Sequence, residues 1–186
     1  MIKQLALGTI LGAIVLFVWS ALAWMVIPWP GDPLLSFTSE DAIVAAVKAN
    51  APRSGNYLIP MEPKRTAGMT DEQYQKAMHD AENRMNTGPM VFAAIRLGPV
   101  SIAKAMILGF ITDVVVVLLG GILLLQTDRL AYKARVAFVG GLGLLIFIGG
   151  HVDEWNWWGF SNAYMLMEFG AIVIGWSGPG IFMPSI

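Results

Sequence analysis

Two acidic residues interrupt long apolar runs, and their chemistry needs an explanation. Asp113 is the only charged residue within residues 105–125, and Glu168 is the only one within residues 160–178. A carboxylate at the centre of a bilayer costs roughly 2.5–3.5 kcal/mol on insertion scales, so such acids usually face a bundle interior or a water-filled cavity. We therefore expect both side chains to point inward, on helix faces of small residues.

The sequence leaves the partner of these acids open. Both are expected at similar depth, and no Lys, Arg or His is expected there. They can share a proton, bind a cation, meet a basic residue of another subunit, or bond to Thr112, Ser161 or Asn162. A proton or cation relay is one hypothesis. A neutral carboxyl that hydrogen-bonds across a helix interface is the simpler one, because largely apolar spans offer few polar residues for a pathway.

His151, Asp153 and Glu154 form a second polar cluster, just after the third apolar run. Imidazole and carboxylate groups suit zinc, manganese or iron, and His79 could add a ligand from the outer domain. The spacing matches no metal motif such as HExxH. A polar loop at a membrane surface is therefore the commoner explanation of these residues.

The elements that must position these residues are membrane spans. The chain is 56% hydrophobic and only 13% charged, with a mean hydropathy of +0.62. Its apolar runs predict transmembrane helices over about residues 1–28, 103–126, 133–151 and 160–178. The third run is short and relies on Lys133 and Arg135 to snorkel outward. The fourth is expected to end where Gly178-Pro179-Gly180 breaks the helix.

The first apolar run could also be read as a secretory signal peptide. Lys3 would be its basic start, and Ala21-Leu22-Ala23 resembles a cleavage site. The uncharged run covers residues 5–30 and continues well past that site. We therefore expect a retained membrane anchor.

Charges in the short loops predict the orientation of the spans. Arg129, Lys133 and Arg135 outnumber Asp128 between spans two and three, whereas the segment after span three is acidic. Basic loops favour the cytoplasm, so both termini are expected inside a bacterial inner membrane. An aromatic belt then falls at the outer interface. Its members are Trp24, Trp29, Trp155, Trp157 and Trp158.

Residues 29–99 are expected to form a small α+β domain outside the membrane. Ser39 and the capping box that begins at Thr70 each predict a helix start. Residues 56–59 and 90–95 have strand character and could pair. The expected fold class is therefore an all-α membrane protein, a bundle of four transmembrane helices. A small α+β extracytoplasmic domain lies between spans one and two. Residues 100–186 contain spans two to four.

Apolar stripes on the two outer helices predict a docking surface. Two short strands can cover only one helix well, so one stripe should meet a partner or the membrane surface. The stripe chosen for this role is Tyr74, Met78, Ala81 and Met85.

Small residues predict close helix packing inside the membrane. The packing residues chosen are Gly8, Gly12, Gly109, Gly120 and Gly175.

Composition excludes several classes of protein. A net charge of −1 without a basic tract excludes nucleic acid as a partner. The absence of Cys excludes disulfides, iron–sulfur clusters and thiolate zinc sites. Haem is disfavoured because neither of the two His residues lies within a span. We predict no cofactor; lipids and other membrane-protein subunits are the expected partners.

Four motifs resemble a known family. They are WMVIPWP at 24–30, SEDAIVAAVKANAPRSGNYLIP at 39–60, GPMVFAAIR at 88–96 and WNWWGF at 155–160. In this order they resemble a family of uncharacterised bacterial four-span inner-membrane proteins. The resemblance covers most of the chain and implies the same topology. That family has no established activity, so the resemblance assigns no role to any residue.

Three functional hypotheses follow from the sequence. The leading one is a non-enzymatic accessory or scaffolding subunit of a larger membrane complex, because small-residue faces and amphipathic outer helices are present and no catalytic motif is found. The second is a small proton- or cation-coupled transporter that uses Asp113 and Glu168. The third is a metal-dependent membrane enzyme at the outer surface.

Overall fold

The computed structural model describes residues 2–127 and 130–182 and is mostly helical. Its helices are α1 (Ile2–Met25), α2 (Glu40–Asn50), α3 (Asp71–Thr87), α4 (Ile102–Leu125), α5 (Tyr132–Trp158), α6 (Asn162–Phe169) and α7 (Gly175–Phe182), and its strands are β1 (Gly55–Ile59) and β2 (Val91–Ile95). A π-helical segment, Gly170–Ile174, joins α6 to α7. Asp128 and Arg129, used above to orient the spans, lie outside the described residues.

The chain divides into two compact units. A helical unit comprises Met1–Leu35 and Val100–Ile186, and a small unit comprises Ser36–Pro99. The boundary falls several residues after the expected one at residue 29. Trp29 belongs to the helical unit, because its indole packs against Gly170 and donates a 2.6 Å hydrogen bond to the Ala23 carbonyl.

Four helices among the described residues are long and apolar enough to cross a membrane, as the hydropathy predicts. They are α1, α4, α5 and the continuous helix Asn162–Phe182. Within the unit α1 packs against α4 and α7, and α7 packs against α5. The buried core consists of Ala13, Leu16, Val117, Leu124, Val139 and Trp176.

Small residues allow the helices of this unit to approach closely. A methyl group added to Gly12 would lie 2.9 Å from Val117 Cγ1 and 3.0 Å from Pro179 Cβ. One added to Gly175 would lie 2.8 Å from Trp19 Cδ1, and one added to Gly120 would lie 3.2 Å from the Trp176 ring. Gly8 is also buried, whereas Gly109 meets Phe17 only at 3.9 Å.

The third apolar helix is longer than the sequence predicts. We expected it to end near residue 151, before a polar loop, but α5 continues to Trp158. His151, Asp153 and Glu154 therefore lie on a helix. Gly159 ends this helix in a left-handed conformation, with φ 73° and ψ 27°. Glycine adopts this conformation without a steric penalty. Gly159 therefore determines where α5 ends, and the drop in hydrophobicity after residue 150 does not.

The fourth helix does not end at Gly178-Pro179-Gly180, and the prediction of a break there is wrong. Helix α7 continues through Pro179 to Phe182. Pro179 is fully buried and packs against Gly12 of α1. Contacts with neighbouring helices thus outweigh the local preference of proline, which transmembrane helices tolerate when neighbours stabilise them.

The small unit contains the two-stranded sheet that the sequence predicts. β1 and β2 pair antiparallel, with Gly55 opposite Ile95 and Ile59 opposite Val91. Ser39 Oγ accepts a hydrogen bond from the Ala42 N–H at 3.3 Å and caps α2. Thr70 and Gln73 exchange both hydrogen bonds of the capping box that begins α3.

Candidate functional site

Asp113 and Glu168 line the same cavity inside the helical unit. The cavity has a volume of about 230 Å³, and all four long helices contribute to its wall. Glu168 is buried, with 6% of its surface exposed, and Asp113 is half-buried. Ser20, Trp24 and Trp176 are among the other lining residues. Two carboxylates from different helices therefore line one space between the helices.

The π-helical segment positions Glu168. Glu168 lies at the end of α6, two residues before Gly170. Trp19 of α1 donates a 3.1 Å hydrogen bond to the Gly170 carbonyl, and the Trp29 ring packs on the same glycine. Two indoles thus hold the backbone at Gly170 in place. π-Helical turns such as this one occur frequently at functional sites.

The side chains that the sequence suggested as hydrogen-bond partners of the two acids form hydrogen bonds with other groups. Thr112 Oγ1 donates to the Leu108 carbonyl at 2.9 Å and is exposed. Ser161 Oγ accepts from the Tyr164 N–H at 3.1 Å. Asn162 Oδ1 accepts from Trp155 Nε1 at 2.9 Å. None of these hydrogen bonds involves either acid.

Sequence reasoning missed two polar residues of the site. Ser20 of α1 lines the cavity, and the Tyr164 hydroxyl interacts with the Glu168 carboxylate. Tyr164 could have been found from its spacing, because residues four apart share one face of a helix. The only signal in the sequence for Ser20 is that a polar residue interrupts an apolar run.

Further polar groups lie near Glu168 on α5 and α6. Tyr164 also interacts electrostatically with Glu154, whose Oε2 lies 2.9 Å from His151 Nδ1. Trp176, which also lines the cavity, is buried and packs against Gly120 and Gly143. No described Lys, Arg or His lines the cavity. Glu168 is therefore linked through Tyr164 to the polar pair His151 and Glu154, while Trp176 forms an apolar part of the cavity wall.

The tryptophan belt is partly assembled around the same turn. Trp24 contacts the Tyr164 ring edge-on, with centroids 6.1 Å apart, and Trp155 bonds to Asn162. Trp157 and Trp158 end α5 and are exposed. Trp29 instead packs within the helical unit. Exposed indoles at one end of a helix bundle are typical of a membrane–water interface.

Only part of the suggested metal cluster comes together. His151 and Glu154 lie within 2.9 Å of each other, but Asp153 is exposed and His79 belongs to the small unit. Among residues 2–127 and 130–182, no group of three His, Asp or Glu side chains could hold a metal ion. Within the helical unit, the structure brings together one pair of these candidate ligands, His151 and Glu154.

The suggested docking stripe on α3 is divided between the core and the surface of the small unit. Ala81 is buried, Tyr74 and Met78 are half-buried, and Met85 is 44% exposed. Helix α2, all of which the structure describes, has no buried residue. Its apolar residues Ile43 and Val44 are 39% and 48% exposed. The more exposed apolar stripe is therefore on α2.

Comparison with known proteins finds no similar protein: the chain matches no family model, no curated protein and no solved structure. The resemblance to four-span inner-membrane proteins thus stays a prediction. Any function has to be inferred from the residues of the cavity and of the surface.

Proposed function

We propose that this chain is a multi-pass membrane protein that binds a proton or a small cation between Asp113 and Glu168, as a small coupled transporter would. The observation that carries the proposal is that both carboxylates line one cavity within the bundle. Intramembrane acids that face a cavity are associated with ion pathways and proton relays. Exposed apolar residues on the outer faces of α4 and α5, such as Ile107, Leu119 and Leu145, support the placement in a membrane.

The surroundings of the acids favour this role over helix packing. If the acids only joined helices, each would bond to a polar group of a neighbouring helix. Within the described residues, no side-chain hydrogen bond connects Asp113 to another helix, and the polar candidates near it bond elsewhere. A proton shared by the two carboxyl groups, or a cation bound between them, would use the space that the cavity leaves.

The charge pattern supports an orientation for the proposed site. If the basic segment before α5 faces the cytoplasm of a bacterial inner membrane, His151, Glu154 and Tyr164 lie near the outer surface. The small unit Ser36–Pro99 is then extracytoplasmic. The acids would exchange a proton or cation with the outside, and Trp176 would have to move for passage to the inside.

Flux through proteoliposomes tests the site. We expect the wild-type chain to carry a proton or sodium flux under an applied gradient. Asp113→Asn and Glu168→Gln should reduce that flux to the level of protein-free vesicles, because each removes one ionisable oxygen with little change of shape. A pH-sensitive dye and a sodium-sensitive dye inside the vesicles would report the two ions.

Thr112→Val is the matched control for this experiment. Thr112 is next to Asp113 in α4 but its side chain is exposed, so the variant should retain full flux. A wild-type chain without flux above background, or an Asp113→Asn variant with undiminished flux, would refute the transport role.

An accessory subunit is the second proposal, favoured by the exposed stripe of Ile43 and Val44 on α2. An apolar stripe without cover in its own unit suits a helix-in-groove contact with a partner protein. Replacing both residues by Ser should release the partner and leave the small unit folded. Replacing Tyr74 and Met78 by Ser should instead loosen the unit, because both are half-buried.

Native electrophoresis of membranes solubilised in mild detergent would separate these outcomes. The wild-type chain should migrate within a larger assembly, and the Ile43→Ser, Val44→Ser variant should migrate as a smaller species. A wild-type chain that migrates at its own mass would count against an accessory role.

A further inference from the structure

A surface groove between α5 and α7 is distinct from the cavity of the two acids. It has a volume of about 630 Å³ and begins beside Tyr132 and Lys133 at the start of α5. Its floor is formed by small residues, including Gly140 and Gly141, and it extends to Leu144. Ile181 of α7 forms part of the opposite wall. The groove is therefore largely apolar and has a basic residue at one end.

The length of this groove matches one leaflet of a bilayer. From Lys133 to Leu144 the groove follows about 17 Å of helix at 1.5 Å per residue. Half of the hydrocarbon core of a bilayer is about 15 Å thick. A transmembrane helix of a second copy would run past Leu144 across the whole membrane, whereas an acyl chain would end near this depth. The dimensions thus favour a lipid as occupant.

The charge at the end of the groove indicates the head group. Lys133 is exposed, and no acidic residue is among the described residues that line the groove. Arg135 was expected to snorkel outward, but it is buried, does not line the groove and has its guanidinium carbon 5.4 Å from the centroid of the Tyr132 ring, so Lys133 is the basic residue of the groove. Basic residues beside grooves between transmembrane helices attract anionic lipid head groups.

We propose that this groove binds one anionic phospholipid of the leaflet on the Lys133 side. One acyl chain lies along Gly140 and Gly141, and the phosphate group binds the Lys133 ammonium. Gly141 faces open space in the groove, since a methyl group added there would meet no described atom within 4 Å apart from its chain neighbours and its own helix backbone. This inference is independent of the function of Asp113 and Glu168.

Native mass spectrometry of the full chain in mild detergent tests the proposal. Delipidated protein would be titrated with phosphatidylglycerol and with phosphatidylcholine of the same acyl chains. We expect one phosphatidylglycerol per chain, bound more tightly than phosphatidylcholine. Lys133→Gln should weaken phosphatidylglycerol binding about fivefold, the effect of removing one favourable charge near a head group. Gly141→Leu should fill the groove and weaken both lipids.

Two variants on the same bundle serve as controls. Gly150→Leu places the same side chain at another glycine of α5 without a described neighbour within 4 Å, and Lys104→Gln removes an exposed Lys at the start of α4. Both should bind like the wild type. Equal affinity for the two lipids, unchanged binding by Lys133→Gln or Gly141→Leu, or a dimer that excludes lipid would each overturn the proposal.

Discussion

Gly143→Ala is expected to destabilise the helical unit by about 1–3 kcal/mol, the usual cost of overfilling a packed interior. The added methyl group would lie 2.6 Å from Trp176 Cβ and 3.2 Å from the Ile172 carbonyl oxygen. Neither atom is the far end of a flexible side chain, so relief requires α5 to move away from α7 and the π-helical segment. Ile172 and Trp176 also line the acid cavity. If the chain has the proposed transport role, the variant should therefore lose flux as well as stability.

Gly149→Ala is the matched control for this substitution. It lies on the same helix, and an added methyl group would have no described atom within 4 Å. Since Ala favours a helix over Gly by up to about 1 kcal/mol, this variant should be as stable as the wild type or slightly more stable. Thermal unfolding in one detergent, followed by tryptophan fluorescence, measures the difference. Equal melting temperatures for both variants would mean that α5 does not pack on Trp176 as described.

The number of long helices and the ends of α4, Ile102–Leu125, could be predicted from the sequence, but the C-terminal ends of α5 and α7 could not. Hydrophobicity decides which segments are apolar enough to span. The end of a helix depends on single residues, such as Gly159, which ends α5 through its positive φ. Pro179 shows the reverse case, because a residue that usually breaks helices is stabilised inside one by contact with Gly12. Such contacts come from distant parts of the chain and have no local signal.

The inward direction of Asp113 and Glu168 could also be predicted, because it follows from the cost of a carboxylate in lipid. What surrounds them could not be predicted. Thr112 is adjacent to Asp113 in sequence yet faces away, whereas Ser20 lies in another helix and lines the cavity. Which side chains meet depends on how the helices rotate against each other.

The caps and strands of the small unit were predictable because their signals are local. The docking role of the stripe on α3 stays a prediction, since spacing identifies an apolar face without identifying what covers it. Ala81 is buried, while Met85 on the same stripe is exposed. A substitution at Ala81 can therefore decide how much of this stripe belongs to the core.

Ala81→Asp is expected to unfold the small unit Ser36–Pro99 while the four long helices stay folded. A unit of this length has a stability of roughly 3–10 kcal/mol, and an unpaired buried carboxylate costs several kcal/mol. Hydrogen exchange of the full chain should show loss of protection in residues 36–99 and none in α1 or α4. The control, Ala45→Asp, places the same group on the exposed helix α2 and should keep wild-type protection. If the Ala81→Asp variant also kept wild-type protection in residues 36–99, Ala81 would not belong to the core. The stripe on α3 would then be the surface expected to meet a partner.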